Sequence, residues 1–458
     1  MTQALLIVQN AQVLLPSGEI EPREVAISDG KITAVGTKLD LSPNTRTIDG
    51  QGLTLLPGVI DPQVHFCDPE LAHNENLFTE SCACVRGGVT SFLEMANTLP
   101  LTTTQASLAD KLAIAASQSL VNYGFFMGAT PENLPDLQEA NPTCGIQIIM
   151  GSADGLLSVN TAKTIEPIFA TGSRLIAVHA EDQSRIMARR KLFEGEADPA
   201  THTTRTKVQD NATTNETALN ATKLALSLSK KYQRRLHILH MATGDEAELL
   251  RHDKPSWVTA EVTPQHLLLD MNAYEKNGAI AQMNPSLKYP RDREILWQAL
   301  LDGVIDFIAT DHVPHTLEEK AQGYPHNLSG SLSDSLSDSL SGIPGVETAL
   351  PLMLTQAQAG RCTIAQVSHW MSTAVARAYN IPNKGLIEPG YDADLVLVDL
   401  TTYRPVRREE LQTKCGWSPF EGWTLTGWPV ITLVGGQVVY DHGTIDTQVR
   451  GQALRFDG

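Results

Sequence analysis

The chain has 458 residues, of which 42% are hydrophobic and 19% are charged, a composition typical of a soluble globular protein. Its formal net charge of −17 argues against nucleic acid or an anionic membrane as a partner, because both are polyanions. No apolar run is long enough to predict a membrane span, and the first residues alternate like a strand, not like a signal peptide. We therefore expect a cytoplasmic protein whose six cysteines are reduced.

The two ends of the chain are rich in short alternating strands. ALLIVQNAQVLL and EVAISDGKITAVG lie near the start, and DADLVLVDL and WPVITLVGGQVVYDHG lie near the end. Such alternation is typical of strands with one buried face. We predict that residues 1–55 and 381–458 pair into one small β-sandwich outside the main core.

Residues 56–380 show a different pattern, in which short apolar runs alternate with stretches long enough for a helix. The runs are LPGVIDPQVH, GVTSFLEM, NYGFFMG, GIQIIMG, LIAVHAE, RLHILHM, WVTAEVTP and DFIATDH. Nearly continuous hydrophobicity is expected when both faces of a parallel strand are covered. The pattern predicts an α/β fold, a (β/α)8 TIM barrel, with the polar residues at the strand ends facing one mouth.

A serine- and aspartate-rich repeat, GSLSDSLSDSLSG, follows the eighth run. These residues cannot bury enough apolar surface to order the segment alone, so we predict a flexible loop over residues 325–342. Its position at the mouth would suit a lid, and an unimportant surface insertion is equally compatible with the pattern.

Several polar side chains occur at the ends of the predicted barrel strands. A lone histidine in an apolar strand is usually a satisfied core residue, but a set of histidines with an aspartate at one mouth predicts a metal site. A divalent ion lowers the pKa of bound water to about 7 and polarises a carbonyl, and Asp311 could accept the proton as the catalytic base. The set comprises Asp61, Gln63, His65, His179, Glu181, His237, His240, Asp311, His312 and His315.

These motifs resemble those of the dihydroorotases, amidohydrolase-superfamily enzymes that interconvert carbamoyl aspartate and dihydroorotate. LPGVIDPQVHFCDP resembles the family's LPG-x-x-D-x-H-V-H-x-R-D-P, and MANTLP resembles its M-P-N-T-x-P. VHAED, HILHMAT, EVTPQHLLL, NPSLK, IDFIATDHVPHTLEEK, GIPGVET, GYDADLVLVDL and SPFEGW follow in family order. Allantoinases and dihydropyrimidinases share the metal motifs, but IATDHVPH and SPFEGW are most similar to dihydroorotase.

The resemblance implies roles for individual residues and also exposes departures. It implies metal ligands at His65, His179, His240 and Asp311, and substrate contacts at Asn97, Asn284 and His315. Gln63 stands where the family has a metal-binding histidine, and Gln147 stands where it has a lysine whose carbamate bridges two metals. Cys67 replaces the arginine that grips the substrate carboxylate, and Gln265 replaces a histidine that the family often has.

Three functions remain open from the sequence. The chain could be a catalytically impaired dihydroorotase homologue that acts as a structural or regulatory partner of aspartate transcarbamoylase. It could be an active dihydroorotase with a single metal, or a hydrolase of another cyclic amide. We accordingly expect at most one zinc per chain, and none under the first alternative, and we expect a homo-oligomer.

Overall fold

A computed structural model describes residues 6–40, 45–66, 75–151, 157, 159, 161–193, 214–322 and 341–457. Within these ranges the strands are β1 (Leu6–Leu14), β2 (Ile20–Ser28), β3 (Lys31–Gly36), β4 (Arg46–Asp49), β5 (Thr54–Pro57), β6 (Val59–Val64), β7 (Val89–Glu94), β8 (Asn122–Gly128), β9 (Gly145–Ile149), β10 (Ile176–His179), β11 (Leu236–Ile238), β12 (Val258–Val262), β13 (Phe307–Ile308), β14 (Leu395–Asp399), β15 (Arg404–Pro405), β16 (Thr424–Leu425), β17 (Trp428–Val434), β18 (Gln437–Asp441) and β19 (Thr444–Ile445).

Strands β6 to β13 form one parallel sheet in chain order. The last strand returns to the first, because Val64 and His312 form a parallel bridge and the backbone N–H of His65 donates to the carbonyl of His312 at 2.8 Å. These are the eight apolar runs of the sequence, so the predicted (β/α)8 barrel is confirmed. All residues of β6 to β10 are buried, as expected for strands covered on both faces.

Helices follow most of the barrel strands, and several begin with capping side chains. Asn76 and Thr104 each form a reciprocal capping box with the residue three positions later, which satisfies backbone N–H groups that a helix leaves free at its start. The α-helices are Leu77–Arg86, Gln105–Gln118, Leu134–Glu139, Ala162–Ala170, Gln183–Phe193, Asn215–Tyr232, Gly244–Asp253, Pro264–Leu268, Asn272–Asn277, Pro290–Leu301, Leu317–Gln322, Ala349–Gln358, Ile364–Ser368 and Ala374–Ala378; Gly278–Ala281 and Arg408–Glu410 are 3₁₀ turns, and His369–Thr373 is a π-helix.

The two chain ends share a second sheet, with strand order β19-β18-β17-β14-β5-β1-β2-β3 and β4 beside β1. The N-terminal and C-terminal halves meet where β5 pairs antiparallel with β14, and Leu55 lies opposite Leu397 in this register. The predicted β-structure made by both ends is therefore confirmed. Because β5 extends to Pro57, the sheet continues slightly past residue 55 before the barrel begins.

A buried ionic joint connects the second sheet to the barrel. Asp394, directly before β14, accepts hydrogen bonds from Asn122 Nδ2 at the start of β8 (3.1 Å) and from the backbone N–H of Gly435 (2.7 Å). Lys384 donates to Asp394 and also lies 3.0 Å from Asp392. One lysine thus holds the carboxylate that links the two parts.

Nearly all of the predicted flexible loop at residues 325–342 lies outside the described residues, which resume at Ser341. Among the helices that the structure describes, none combines the length and the apolar character that crossing a bilayer would require.

Candidate active site

The four predicted metal ligands lie at the mouth of the barrel, at the ends of four different strands. His65 follows β6, His179 ends β10, His240 follows β11 and Asp311 follows β13. The carboxyl ends of all eight strands point to the same rim in a parallel barrel, so residues far apart in sequence meet there. Contacts among the four divide them into two hydrogen-bonded pairs.

The first pair is His65 and Asp311. His65 Nε2 lies 3.2 Å from Asp311 Oδ1, and Gln63 Nε2 donates to the same oxygen at 3.0 Å. Burial raises the pKa of Asp311, but the hydrogen bond from His65 and the nearby imidazoles outweigh it and leave the pKa below its usual value. Asp311 is therefore ionised, and its carboxylate already accepts a hydrogen bond from the Gln63 amide.

The second pair is His179 and His240. Nδ1 of His179 lies 2.9 Å from Nε2 of His240, and Nε2 of His179 lies 3.1 Å from Glu181 Oε2. Burial, reinforced by His179, lowers the pKa of His240 well below its usual value, so this ring is neutral. The two imidazoles that share this hydrogen bond therefore point ring nitrogens at each other.

Gln147 lies in β9 between these pairs in strand order. Its Oε1 accepts a hydrogen bond from the backbone N–H of Ala96 at 2.8 Å, so the amide is anchored to the segment after β7. A glutamine carries no negative charge and is a weak zinc ligand. The side-chain oxygen of Gln147 thus accepts a hydrogen bond from the backbone. The side-chain nitrogen of Gln63 likewise has a partner, because it donates to Asp311.

These side chains do not fit a metal site of the predicted type. Over the residues that the structure describes, no group of three or more histidine, cysteine, aspartate or glutamate side chains is arranged to hold a metal ion. The four predicted ligands contact one another in pairs, and the two substituted positions present neutral amides that are already hydrogen-bonded. We therefore derive no chemical step through a metal.

Two of the four residues have strained backbone conformations. His240 has φ 31° and Asp311 has φ 48°, both in the left-handed region. A non-glycine residue pays about 1–2 kcal/mol for this conformation. Such strain is typical of functional sites, where the surrounding structure holds a side chain in a required direction.

The three predicted substrate contacts also lie at the mouth. Asn284 Nδ2 is 3.5 Å from His179 Nε2, and His315 Nε2 donates to the carbonyl of Ser341 at 3.2 Å. The buried Oδ1 atoms of Asn97 and Asn284 find no hydrogen-bond partner within the described ranges. These oxygens could accept N–H groups of a ligand. Cys67, at the position of the missing arginine, lies outside the described residues.

Two histidines of the predicted set belong to the core instead. His237 is fully buried inside β11, where its Nε2 lies 3.0 Å from Glu261 Oε2 and its ring stacks on Phe307. His312 is also fully buried, with Nε2 2.8 Å from Glu80 Oε2 and Nδ1 accepting from the backbone N–H of Gly345. Each ring is thus paired with a buried carboxylate, and neither belongs to the two hydrogen-bonded pairs described above.

Sequence reasoning missed the carboxylates that hold these rings. Glu261 interrupts the apolar run of β12, and Glu80 lies on the buried face of helix Leu77–Arg86. An acidic residue inside an otherwise apolar strand is the signal that could have identified Glu261. Gln265 is also structural here, since its Nε2 donates to the carbonyl of Thr310 at 2.9 Å.

Comparisons with known proteins agree with this architecture. A model of the amidohydrolase family matches residues 54–439. The chain is 33% identical to a dihydroorotase from Methanosarcina acetivorans across 96% of this chain and 94% of that protein, and 30% identical to an L-hydantoinase from Paenarthrobacter aurescens across 96% and 95%. The solved L-hydantoinase (dihydropyrimidinase) from Arthrobacter aurescens superimposes with a TM-score of 0.89 at 27% identity, covering 99% of this chain and 100% of that one.

Proposed function

The chain belongs to the amidohydrolase family, and on that premise we propose that it is a dihydroorotase-like member that has lost metal-dependent turnover of a cyclic amide. The observation that carries the proposal is the hydrogen bond from Gln63 Nε2 to Asp311 Oδ1 at 3.0 Å. The family resemblance assigns Asp311 two roles, as a metal ligand and as the catalytic base. Here its carboxylate accepts a hydrogen bond from an amide N–H, which is a donor and cannot ligate a cation.

Charge balance supports the same conclusion. Two divalent ions a few ångströms apart repel strongly unless an anionic group lies between them. Gln147 supplies no such anion, and its oxygen is engaged by Ala96.

A second function is supported by a specific observation. The chain is similar to L-hydantoinases as well as to dihydroorotases, and Cys67 removes the guanidinium that would pair with the carboxylate of dihydroorotate. A substrate without that carboxylate, such as a hydantoin, would not need the arginine. Hydrolysis of another cyclic amide is therefore the alternative to a lost activity.

The purified protein is expected to contain less than one divalent ion per chain and to leave dihydroorotate, carbamoyl aspartate and hydantoins unchanged. Metal analysis after incubation with zinc, together with assays in both directions, measures this. One tightly held zinc with turnover of dihydroorotate would instead establish a single-metal dihydroorotase, in which the two pairs rearrange around one ion. Turnover restricted to hydantoins would establish the second function.

We further propose that the chain serves as a structural or regulatory partner of aspartate transcarbamoylase, which makes the carbamoyl aspartate that dihydroorotases use. The dihydroorotase relatives support this choice of partner. When this chain is co-expressed with the aspartate transcarbamoylase of the same organism, the two proteins are expected to elute together in size-exclusion chromatography. Their common peak should have a mass above that of either protein alone. Separate elution at micromolar concentrations would reject the partnership. It would not affect the proposal that the chain has lost metal-dependent turnover.

A further inference from the structure

A large cavity lies at the opposite end of the barrel from the candidate active site. Its volume is about 800 Å³, within the range of small-molecule pockets. Its walls come from the segments that lead into three successive strands, β9, β10 and β11, and from the tail at residues 452–457. The tail is held in place by the barrel, since the N–H of Leu454 donates to the carbonyl of Tyr123 at 2.8 Å.

Four arginines line this cavity. Arg455 lies in the tail, and Arg174, Arg234 and Arg235 lie in the segments that lead into β10 and β11. Arg234 is buried and donates to the carbonyl of Thr171, and Arg235 donates to the carbonyl of Ala378 at 2.6 Å. In the described part of the chain, the buried Nε of Arg234 has no hydrogen-bond partner. Backbone carbonyls therefore orient two guanidinium groups without neutralising them.

These arginines form a cluster of positive charge in a chain whose net charge is −17. Burial, together with the positive charges of Arg174 and Arg235, lowers the pKa of Arg234 to about 10. No carboxylate of the described residues contributes to the pKa of any of the three. Uncompensated cations packed together in a partly desolvated cavity are costly unless an anion joins them.

The remaining walls offer both polar and apolar surface. Tyr379 is buried, and its hydroxyl has no hydrogen-bond partner among the described residues. Leu137, Ile168 and Phe456 supply apolar lining, while Asp457 is the one carboxylate of the lining. The cavity thus has a cationic side and an apolar side, which suits a ligand with one anionic end.

We propose that this cavity is a binding site for a small organic phosphate, with the phosphate held by Arg174, Arg234 and Arg235 at the end of the barrel remote from the candidate active site. Guanidinium groups present paired N–H donors that match phosphate oxygens. A phosphate group offers three oxygens and up to two negative charges, so it can accept hydrogen bonds from three arginines. A single carboxylate has two oxygens and pairs well with only one guanidinium group. The apolar wall would contact the organic part.

The test uses the full chain and pyrophosphate as the probe, measured by isothermal titration calorimetry. Wild-type protein is expected to bind one pyrophosphate per chain. Arg174→Gln is expected to weaken binding about 10-fold or more, because it removes a charged donor to the phosphate. Arg407→Gln is the matched control, since it removes the same charge from an exposed side chain and should leave the affinity unchanged.

Arg235→Gln provides a second cavity variant in case Arg174→Gln does not fold, and it should weaken binding to a similar extent. Hydrogen exchange adds an independent readout: amides of residues 452–457 should exchange more slowly with pyrophosphate bound. The proposal is overturned if pyrophosphate does not bind at millimolar concentration, or if the cavity variants and Arg407→Gln weaken it equally. Tighter binding of malonate than of pyrophosphate would overturn the assignment to phosphate.

Discussion

The combined variant Gln63→His, Gln147→Lys and Cys67→Arg is expected to gain tightly bound divalent metal and turnover of dihydroorotate by roughly 100-fold or more over the parent. The first two changes replace neutral amides by groups that the family resemblance assigns to metal ligation. Gln63→His also frees Asp311 from the amide donor 3.0 Å away. The third change returns a guanidinium for the substrate carboxylate. Metal content and steady-state kinetics measure both gains.

Two controls separate the contributions. The variant with Gln63→His and Gln147→Lys alone should bind metal but show a raised KM, because the carboxylate anchor is still missing. Adding Asp311→Asn to the combined variant should abolish turnover. Each glutamine change also removes a buried hydrogen bond, which costs about 1–3 kcal/mol, so folding is verified by thermal unfolding. If the folded combined variant binds metal yet remains inactive, the lesion lies outside these three positions.

Lys384→Met is expected to lower the free energy of unfolding by about 3–5 kcal/mol, the typical cost of leaving a buried charge unpaired. The side chain of Lys384 is only 9% exposed and contacts Asp394, which joins β14 to the barrel. Its removal leaves the Asp394 carboxylate, among the residues that the structure describes, with the neutral donors Asn122 and Gly435. Urea unfolding measures the loss.

Lys31→Met is the matched control, because Lys31 pairs with Asp392, which Lys384 also contacts, while its own side chain is 42% exposed. Exposed pairs contribute about 0–1 kcal/mol, so this variant should remain close to wild type. Equal losses in the two variants would contradict the assigned role of Lys384.

The effect of Lys384 should also depend on pH. Burial lowers the pKa of Lys384, but Asp394 and Asp392 outweigh it and raise the pKa above its usual value. A raised lysine pKa means that the stabilisation is complete below the unfolded value of about 10.4 and is lost as pH rises through the folded value. The difference between wild type and Lys384→Met should therefore be constant near neutral pH and shrink above about pH 10.4.

The barrel was predictable because its signal is local. Each strand from β6 to β13 is a short apolar run between helical stretches, and the hydrophobic effect drives such runs to the interior wherever they pair. The joint sheet from both ends was predictable for a related reason, since alternating residues predict strands with one buried face. The register that places Leu55 opposite Leu397 was not, because pairing of residues so far apart leaves no local trace.

The site divides in the same way. Its membership was inferred from polar residues at strand ends, and four strands do bring His65, His179, His240 and Asp311 to one rim. Side-chain direction was not inferable, because it depends on which neighbours satisfy each ring. Glu261 pairs with His237 and Glu80 pairs with His312, in contacts between residues that are distant in sequence.

By itself, the sequence determined the family, the barrel and the sheet shared by the chain ends. It also showed Gln63, Gln147 and Cys67 where the dihydroorotase resemblance implies a metal-binding histidine, a bridging lysine and a substrate-binding arginine. Only the tertiary structure decided what those glutamines do: one donates to Asp311 and the other accepts from Ala96. It alone also gathered Arg174, Arg234 and Arg235 around one cavity. The physical reason is that composition and periodicity govern which segments are buried, whereas hydrogen bonds and charge pairs depend on ångström-scale distances between segments that only folding brings together.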